Sequence, residues 1–224
     1  HPWVCEHLVR EGAEILLCPN GSPYWTNKQH VRKELVRKHA IEHDVPLIYL
    51  NQVGGQDELV FDGASFAIAP GDKLVLQAKS FETDFLVSDW HREGESWTSI
   101  NGRLEELPSI DEAPWRAAVL GLRDYVHKNG FNHVVLGLSG GIDSAVVAAM
   151  AVDAFGPEKV HCIMLPYRYT SEESLRDAKD CATRLGVRYD VVAIGDPVDN
   201  ALRELAPVFG DRPLDTAATR HSEA

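Results

Sequence analysis

Methionine and cysteine are scarce in this chain. Its 224 residues hold two Met and four Cys. The methionines are Met150 and Met164, and the chain starts at His1 without an initiator. No signal or transit peptide opens it. The closing run, Thr219 to Ala224, is polar and patternless. The expectation is therefore a piece of a longer chain, cut at both ends. Cys5, Cys18, Cys162 and Cys181 stand far apart with no Cys-x-x-Cys pair, which argues against a zinc ribbon or a dithiol redox centre. They read as free thiols of a reducing, cytoplasmic setting. Basic residues are also in deficit. Against 34 Asp and Glu there are 22 Lys and Arg, for a net charge of −12. Nucleic acid and anionic membranes demand a basic surface, so neither is expected as a partner. No apolar run approaches the roughly 18–20 residues that span a bilayer, and no internal repeat or low-complexity tract is found.

What is present is ordinary for a globular chain: 44% apolar and 25% charged residues. At roughly 100–200 residues per domain, the length allows one large or two small domains. The first stretch reads as a helix from Val4 to Gly12 and a buried strand over Ala13 to Pro19. A turn follows at Asn20-Gly21-Ser22-Pro23-Tyr24, then a helix from Lys28 to His43. Strands are expected at Pro46–Leu50, Ala64–Ala69, Lys73–Ala78 and Phe85–Trp90. From His91 to Ala113 Gly, Ser, Glu, Pro and Asp crowd the chain and periodicity is lost, as in a linker. Beyond Pro114 helices and strands alternate. Helices are expected at Trp115–Lys128, Asp143–Phe155, Glu172–Leu185 and Pro197–Val208, with strands at Val134–Leu138, Val160–Leu165 and Tyr189–Ile194. This is the pattern of βαβ units in a doubly wound parallel sheet. Thr170-Ser171-Glu172-Glu173 fits a capping box with Thr170 as the cap.

The sharpest motif is Gly137-Leu138-Ser139-Gly140-Gly141-Ile142-Asp143-Ser144, set between a strand and a helix start. Glycines let a backbone bend close to an anion, and the N–H groups of a helix start point at it. The loop lacks the Gly-Lys-Ser/Thr of a Walker A and the G-x-G-x-x-G of a dinucleotide fold. Asp143 is an acid where phosphate would sit, which suggests a bridging Mg²⁺. The competing reading is a plain turn in which Asp143 and Ser144 only cap the helix.

This loop resembles the SGGxDS loop of the N-type ATP pyrophosphatases. With Leu120-Gly121-Leu122-Arg123-Asp124-Tyr125-Val126 and Leu165-Pro166-Tyr167-Arg168-Tyr169-Thr170-Ser171, it resembles the NAD⁺ synthetases among them. The resemblance implies that ATP activates the nicotinate carboxylate of deamido-NAD⁺ as an acyl-adenylate, which ammonia then converts to the amide. It implies ATP contacts at Gly137, Leu138, Ser139, Gly140, Gly141, Ile142, Asp143 and Ser144, with Asp143 holding Mg²⁺. It also places the strand end Ile163-Met164-Leu165 against the adenine; otherwise that strand is simply a buried parallel one.

Residues 1–90 resemble the second half of a nitrilase-type amidase. The likeness rests on Asn20 to Tyr24, Asn51-Gln52-Val53-Gly54-Gly55-Gln56-Asp57 and Phe61-Asp62-Gly63-Ala64-Ser65. A nitrilase domain ahead of an NAD⁺ synthetase domain is the arrangement of the glutamine-dependent synthetases. That likeness implies glutamine, or ammonia supplied directly, as the nitrogen source, and a homo-oligomeric assembly. The amidases use a Glu–Lys–Cys triad. Cys5-Glu6-His7 has a superficial likeness to its nucleophile site. Cys5, however, stands too close ahead of Ser22 for the family's spacing and lies inside a helix. The nucleophile is therefore expected upstream of His1, and no catalytic residue is assigned within this chain. Ser22 and Lys28 match positions that hold the glutamine; for Lys28 the alternative is a solvated helix start.

Weaker signals carry less. His39-Ala40-Ile41-Glu42-His43 matches the H-x-x-E-H zinc pattern, but Leu35 shares that helix face and so short a pattern arises by chance. Lys28, Arg32, Lys33, Arg37 and Lys38 form a basic face without interleaved aromatics, as on a solvated surface or an intersubunit contact. The expected organisation is α/β throughout. A partial nitrilase-like αββα sandwich (1–90) leads through a linker (91–113) to a partial Rossmann-like ATP pyrophosphatase domain (114–215) and a tail (216–224). The rival readings are another pyrophosphate-loop amidating ligase and a nitrilase-like amidase with a nucleotide-binding module. The 224 residues alone are expected to be inactive.

Overall fold

The computed structural model describes residues 2–94 and 96–209. The expected tail, 216–224, and the preceding residues 210–215 lie outside the described residues. Two compact units divide the chain, one up to Gly130 and one from Phe131 onward.

The first unit begins with helix α1 (Pro2–Arg10), strand β1 (Leu16–Asn20), helix α2 (Lys28–His43) and strand β2 (Leu47–Asn51). β1 and β2 run parallel, in register Leu16 to Leu47, with α2 as the crossover. The hairpin β3 (Val53–Gln56) and β4 (Leu59–Asp62) follows, then β5 (Phe66–Ala69) and β6 (Lys73–Gln77), which extend the main sheet antiparallel in the order β1-β2-β5-β6. β1 is an edge strand, which is why it tolerates Pro19. One face of the sheet meets α1 and α2 in a core of Leu16, Val36, Ala40, Leu47, Tyr49, Phe66 and Ile68. Phe66 is fully buried and its ring stacks on Tyr49 with centroids 5.2 Å apart. All four residues of β5 are buried, so the strand is a continuous apolar run, Phe-Ala-Ile-Ala, covered on both faces. A second hairpin, β7 (Trp90–Glu93) with β8 (Ser96–Ser99), precedes helix α3 (Glu112–Lys128), which closes the unit.

The second unit holds β9 (Val134–Gly137), α4 (Ile142–Phe155), β10 (Val160–Met164), α5 (Glu172–Leu185), β11 (Arg188–Val191) and α6 (Gly195–Phe209). Its three strands are parallel in the order β11-β10-β9, with β10 in the centre. Alanines let the helices lie close: Ala148, Ala151 and Ala154 of α4 and Ala178 and Ala182 of α5 are buried. This is the Rossmann-like half of the expected α/β organisation, and the first unit is its nitrilase-like half.

Three local expectations differ from what is found. The expected strand Phe85–Trp90 does not form. Asp84 accepts hydrogen bonds from the Lys79 and Phe85 backbone N–H groups, which turns the chain, and Phe85 and Val87 are 87% and 70% exposed. Instead β7 starts at Trp90, and the β7–β8 hairpin runs through what is expected to be a linker. Finally, the cap of α5 is Ser171, whose hydroxyl accepts from Ser174 N at 3.1 Å. Thr170 instead closes the preceding turn, its hydroxyl accepting from Tyr167 N at 3.0 Å. Among the described residues no helix is long and apolar enough to cross a membrane.

The Arg103 guanidinium beside Asp84 holds that carboxyl below its usual value, with the Lys79 N–H adding to the effect. A carboxyl lowered on folding stabilises the fold above the unfolded value, about 4, and that contribution is lost as pH falls through the lowered value. Asp84→Asn should therefore melt below the parent at pH 7. In thermal denaturation followed by circular dichroism, the gap should close as the pH falls below about 4.

Candidate functional site

Two constellations stand out, one in each unit. In the second unit, β9 ends at Gly137, which pairs with Ile163, and the fully buried Leu138 donates its N–H to Ile163 O at 2.9 Å. The chain then leaves the sheet at the carboxyl end of the strands, where open α/β sheets carry their ligands. Gly140 has φ +81°, and a Cβ there would stand 2.3 Å from the Ser174 carbonyl oxygen. Both the torsion and the close approach of α5 require glycine. The serines stiffen the loop. Ser144 Oγ accepts from Ser139 N at 3.1 Å, lies 3.0 Å from Ser139 Oγ, and donates to Gly141 O at 3.0 Å. Ser144 is thus committed to the loop rather than to capping α4, whose cap residue Gly141 makes no side-chain cap bond. Ile142 is 75% exposed and Asp143 is exposed beside it in the first turn of α4. Among the described residues the Asp143 carboxylate has no hydrogen bond or ion pair.

A cavity of about 400 Å³ opens beside this loop. Gly137, Leu138 and Ser139 line one side, and Ile163, Met164 and Leu165 line another, so the loop and the strand end share one space. Tyr169, Thr170, Ser171 and Ser174 complete the lining. The last four were missed as site residues. Tyr169, Thr170 and Ser171 lie in the Leu165–Ser171 motif that carries the resemblance, which is the signal that points to them; Ser174 sits in the first turn of α5 and has none.

In the first unit, a buried ion pair organises the turn at residues 20–24. Arg32 and Asp62 have side chains 3% and 2% exposed, and Arg32 Nη1 donates to both carboxylate oxygens at 2.7 and 2.8 Å. Arg32 Nη2 donates to Ser22 O at 2.6 Å and Pro23 O at 3.2 Å, and Nε donates to Ser22 Oγ at 3.3 Å. Asn51 Nδ2 reaches both Ser22 O and Asp62, and Gln29 Nε2 reaches Asp62 at 3.1 Å. Asn51 Oδ1 in turn accepts from Ser22 N at 2.9 Å. Arg32 therefore does not belong to the solvated basic face expected for α2. It faces inward because a guanidinium can leave water only when its donors are met. Ser22 sits inside this network. Lys28 does not: its Nζ lies over the Trp25 ring, 4.9 Å from the centroid, beside a cavity of about 200 Å³ lined also by Tyr24, Gln29, Phe81 and Leu107.

Two further candidates lie in the first unit. Cys5 packs against the sheet core, and burial pushes its thiol up, with Cys18 adding to the shift, which is the wrong direction for a nucleophile. His39, Glu42 and His43 bring donor atoms within 4.8 Å of one another. The two imidazoles stack with centroids 5.9 Å apart and 5° between their planes, and His39 Nδ1 and His43 Nε2 are buried with no hydrogen-bond partner among the described residues.

Comparison with known proteins joins the two constellations. Residues 2–95 match the carbon-nitrogen hydrolase family model, and residues 114–213 match the NAD synthase model. The chain is 48% identical over 197 residues to the glutamine-dependent NAD(+) synthetase of Rhodobacter capsulatus, covering 88% of this chain and 36% of that one. It is 39% identical over 211 residues to the synthetase of the same name from Synechocystis sp., covering 94% and 38%. It superposes on the glutamine-dependent NAD+ synthetase of Acinetobacter baumannii, solved in complex with adenosine diphosphate, with a TM-score of 0.89 and 36% identity over 97% of this chain and 41% of that one. The two matched regions thus each resemble one domain of the glutamine-dependent NAD⁺ synthetases. The chain spans between 36% and 41% of the length of the curated relatives it matches. The NAD synthase match begins at residue 114 and so takes in α3, a helix that packs within the first unit.

Removing one partner of the buried pair leaves the other charged and unpaired. Arg32→Met should cost about 3–5 kcal/mol in urea denaturation. Pairing it with Asp62→Leu should cost less than the sum of the single changes, by about 1–3 kcal/mol. Strict additivity would show that the pair does not hold the turn.

Proposed function

We propose that this chain works in the ATP-dependent amidation of deamido-NAD⁺ to NAD⁺, with nitrogen taken from glutamine through ammonia. The observation that carries the reading is the loop 137–144 at the mouth of the parallel sheet. There a glycine bend, the start of α4 and the cavity beside Leu165 offer an anion site next to an apolar wall. The adenosine diphosphate named for the Acinetobacter baumannii structure supports a nucleotide in this chain as well. In this reading Gly137, Leu138, Ser139, Gly140, Gly141, Ile142, Asp143 and Ser144 hold the triphosphate of ATP, and Leu165 lies against the adenine.

The nicotinate carboxylate oxygen attacks the α-phosphorus, pyrophosphate leaves, and a mixed anhydride forms. Ammonia then attacks the carbonyl carbon, AMP departs and a proton is lost. The chain's own part is to place and neutralise the phosphates. Backbone N–H groups at the start of α4 face the departing charge, and the helix dipole favours its accumulation. The exposed, unpaired Asp143 carboxylate suits a hard cation, and the two serine hydroxyls beside it are tied to each other. Mg²⁺ held there would screen the phosphate oxygens. In the first unit, Ser22 and Lys28 are proposed to hold glutamine, with the Arg32–Asp62 pair fixing the turn that carries Ser22. No residue of this chain is assigned as the glutaminase nucleophile. The assembly is proposed to be a homo-oligomer. We place the protein in the cytoplasm, where Cys5, Cys18, Cys162 and Cys181, all free, would remain thiols.

The test is Asp143→Ala in the full-length protein, assayed for NAD⁺ formation from deamido-NAD⁺, ATP and ammonia. The expected loss is at least roughly tenfold, or about 1.4 kcal/mol of transition-state stabilisation. Unchanged output would remove Asp143 from the site.

A further inference from the structure

The Leu120–Val126 segment is the one conspicuous motif that the nucleotide loop does not use, and its surroundings give it a task. Gly121 sits in the middle of α3, where glycine weakens a helix relative to alanine. The reason is contact with the β3–β4 hairpin. A Cβ on Gly121 would stand 3.0 Å from Val60 Cγ2, and one on Gly55 would stand 3.0 Å from Gly121 Cα. At that crossing α3 takes both polar groups of Gly55: Asp124 Oδ2 accepts from Gly55 N at 2.7 Å, and Lys128 Nζ donates to Gly55 O at 2.5 Å. The open edge of β3 is thereby closed by two side chains of a helix rather than by another strand. Phe81, Ala117 and Leu120, with Tyr24, Val53, Val60 and Ala113 packed round them, seal the same contact.

The hairpin leads directly to the glutamine-side turn. The Val60 carbonyl accepts from Tyr24 N at 2.6 Å, and β4 ends on Asp62, the acid of the buried ion pair. In the other direction, only residues 129–133 separate the end of α3 from β9, the strand that feeds the phosphate loop. One helix therefore grips the segment carrying Asp62, and in sequence it precedes β9 and the loop that carries Asp143.

We propose that α3 is the element that couples glutamine use to amidation, and that Asp124 is its positioning residue, acting by holding Gly55 and through it the β3–β4 hairpin. This rests on the function proposed above. Asp124 touches no reacting group in this account. Its loss should free the hairpin and unsettle the Ser22–Asp62 arrangement, while the phosphate loop keeps its own bonds.

The experiment uses the full-length protein with Asp124→Ala and Asp124→Asn, the second retaining an acceptor for the Gly55 N–H. Three quantities are measured: NAD⁺ made with saturating ammonia, glutamate released from glutamine, and NAD⁺ made per glutamate released. For Asp124→Ala the ammonia-driven rate should stay within about twofold of the parent, while glutamine-driven NAD⁺ per glutamate falls about fivefold or more. Asp124→Asn should recover most of the loss. Gly121→Ala, which pushes on Val60 without touching a charge, should shift the same ratio in the same direction. An equal fall in ammonia-driven and glutamine-driven synthesis, or an unchanged ratio, would overturn the proposal. If the parent protein makes no NAD⁺ from deamido-NAD⁺ and ammonia, it is the proposed function that fails, and the three readings separate that case.

Discussion

A guanidinium and a carboxylate taken out of water set the terms for the first unit. Arg32 and Asp62 come from α2 and the end of β4, elements 30 positions apart, and neither can be buried alone. Desolvation of each charge costs several kcal/mol, so the native arrangement requires every donor of Arg32 to find an oxygen. It finds them on Asp62, on the carbonyls of Ser22 and Pro23, and on the Ser22 hydroxyl. That demand fixes the Asn20–Tyr24 turn, orients Asn51 and Gln29, and requires the β3–β4 hairpin to deliver Asp62 to the right place. Hence the hairpin's own support, the grip of α3 on Gly55, matters as much as the pair itself.

The second unit solves a different problem. The loop proposed to hold a polyanion is stiffened by short local bonds and leaves its outward face exposed. The Ser139–Ser144 pair and the contact of Gly140 with α5 hold the backbone. The buried alanines of α4 and α5 bring the helices close, and among the described residues the exposed Asp143 carboxylate has no partner. One unit is organised by meeting the donors and acceptors of a buried ion pair. The other is organised by leaving a chosen few polar groups unsatisfied at its rim.

Much of this was legible in the chain. α2 and α5 fall at their expected residues, because apolar spacing and flanking turn residues agree there. The three parallel strands of the second unit lie within a few positions of expectation, since short β-branched runs between helices leave little alternative. The loop at 137–144 was readable because glycine, serine and aspartate occur there in an order that only a strand-to-helix bend explains. What was not legible depended on contacts distant in sequence. β3 carries Gly54 and Gly55, which weaken any strand reading, and their purpose appears only once Gly121 and Asp124 lie against them. Arg32 looked like its basic neighbours because nothing local announces a partner at Asp62. Thr170 and Ser171 both suit a cap, and the choice was made by the Tyr167 turn. Phe85-Leu86-Val87 has the composition of a strand, yet Asp84 claims the backbone bonds at its start.

The loop at 137–144 is proposed to serve the activation of a carboxylate by ATP with release of pyrophosphate. The most direct measurement is exchange of labelled pyrophosphate into ATP by the full-length protein, without ammonia or glutamine. Label should enter ATP when deamido-NAD⁺ is present and stay in pyrophosphate when it is omitted. Exchange that ignores deamido-NAD⁺, or that requires a different acid, would contradict the account.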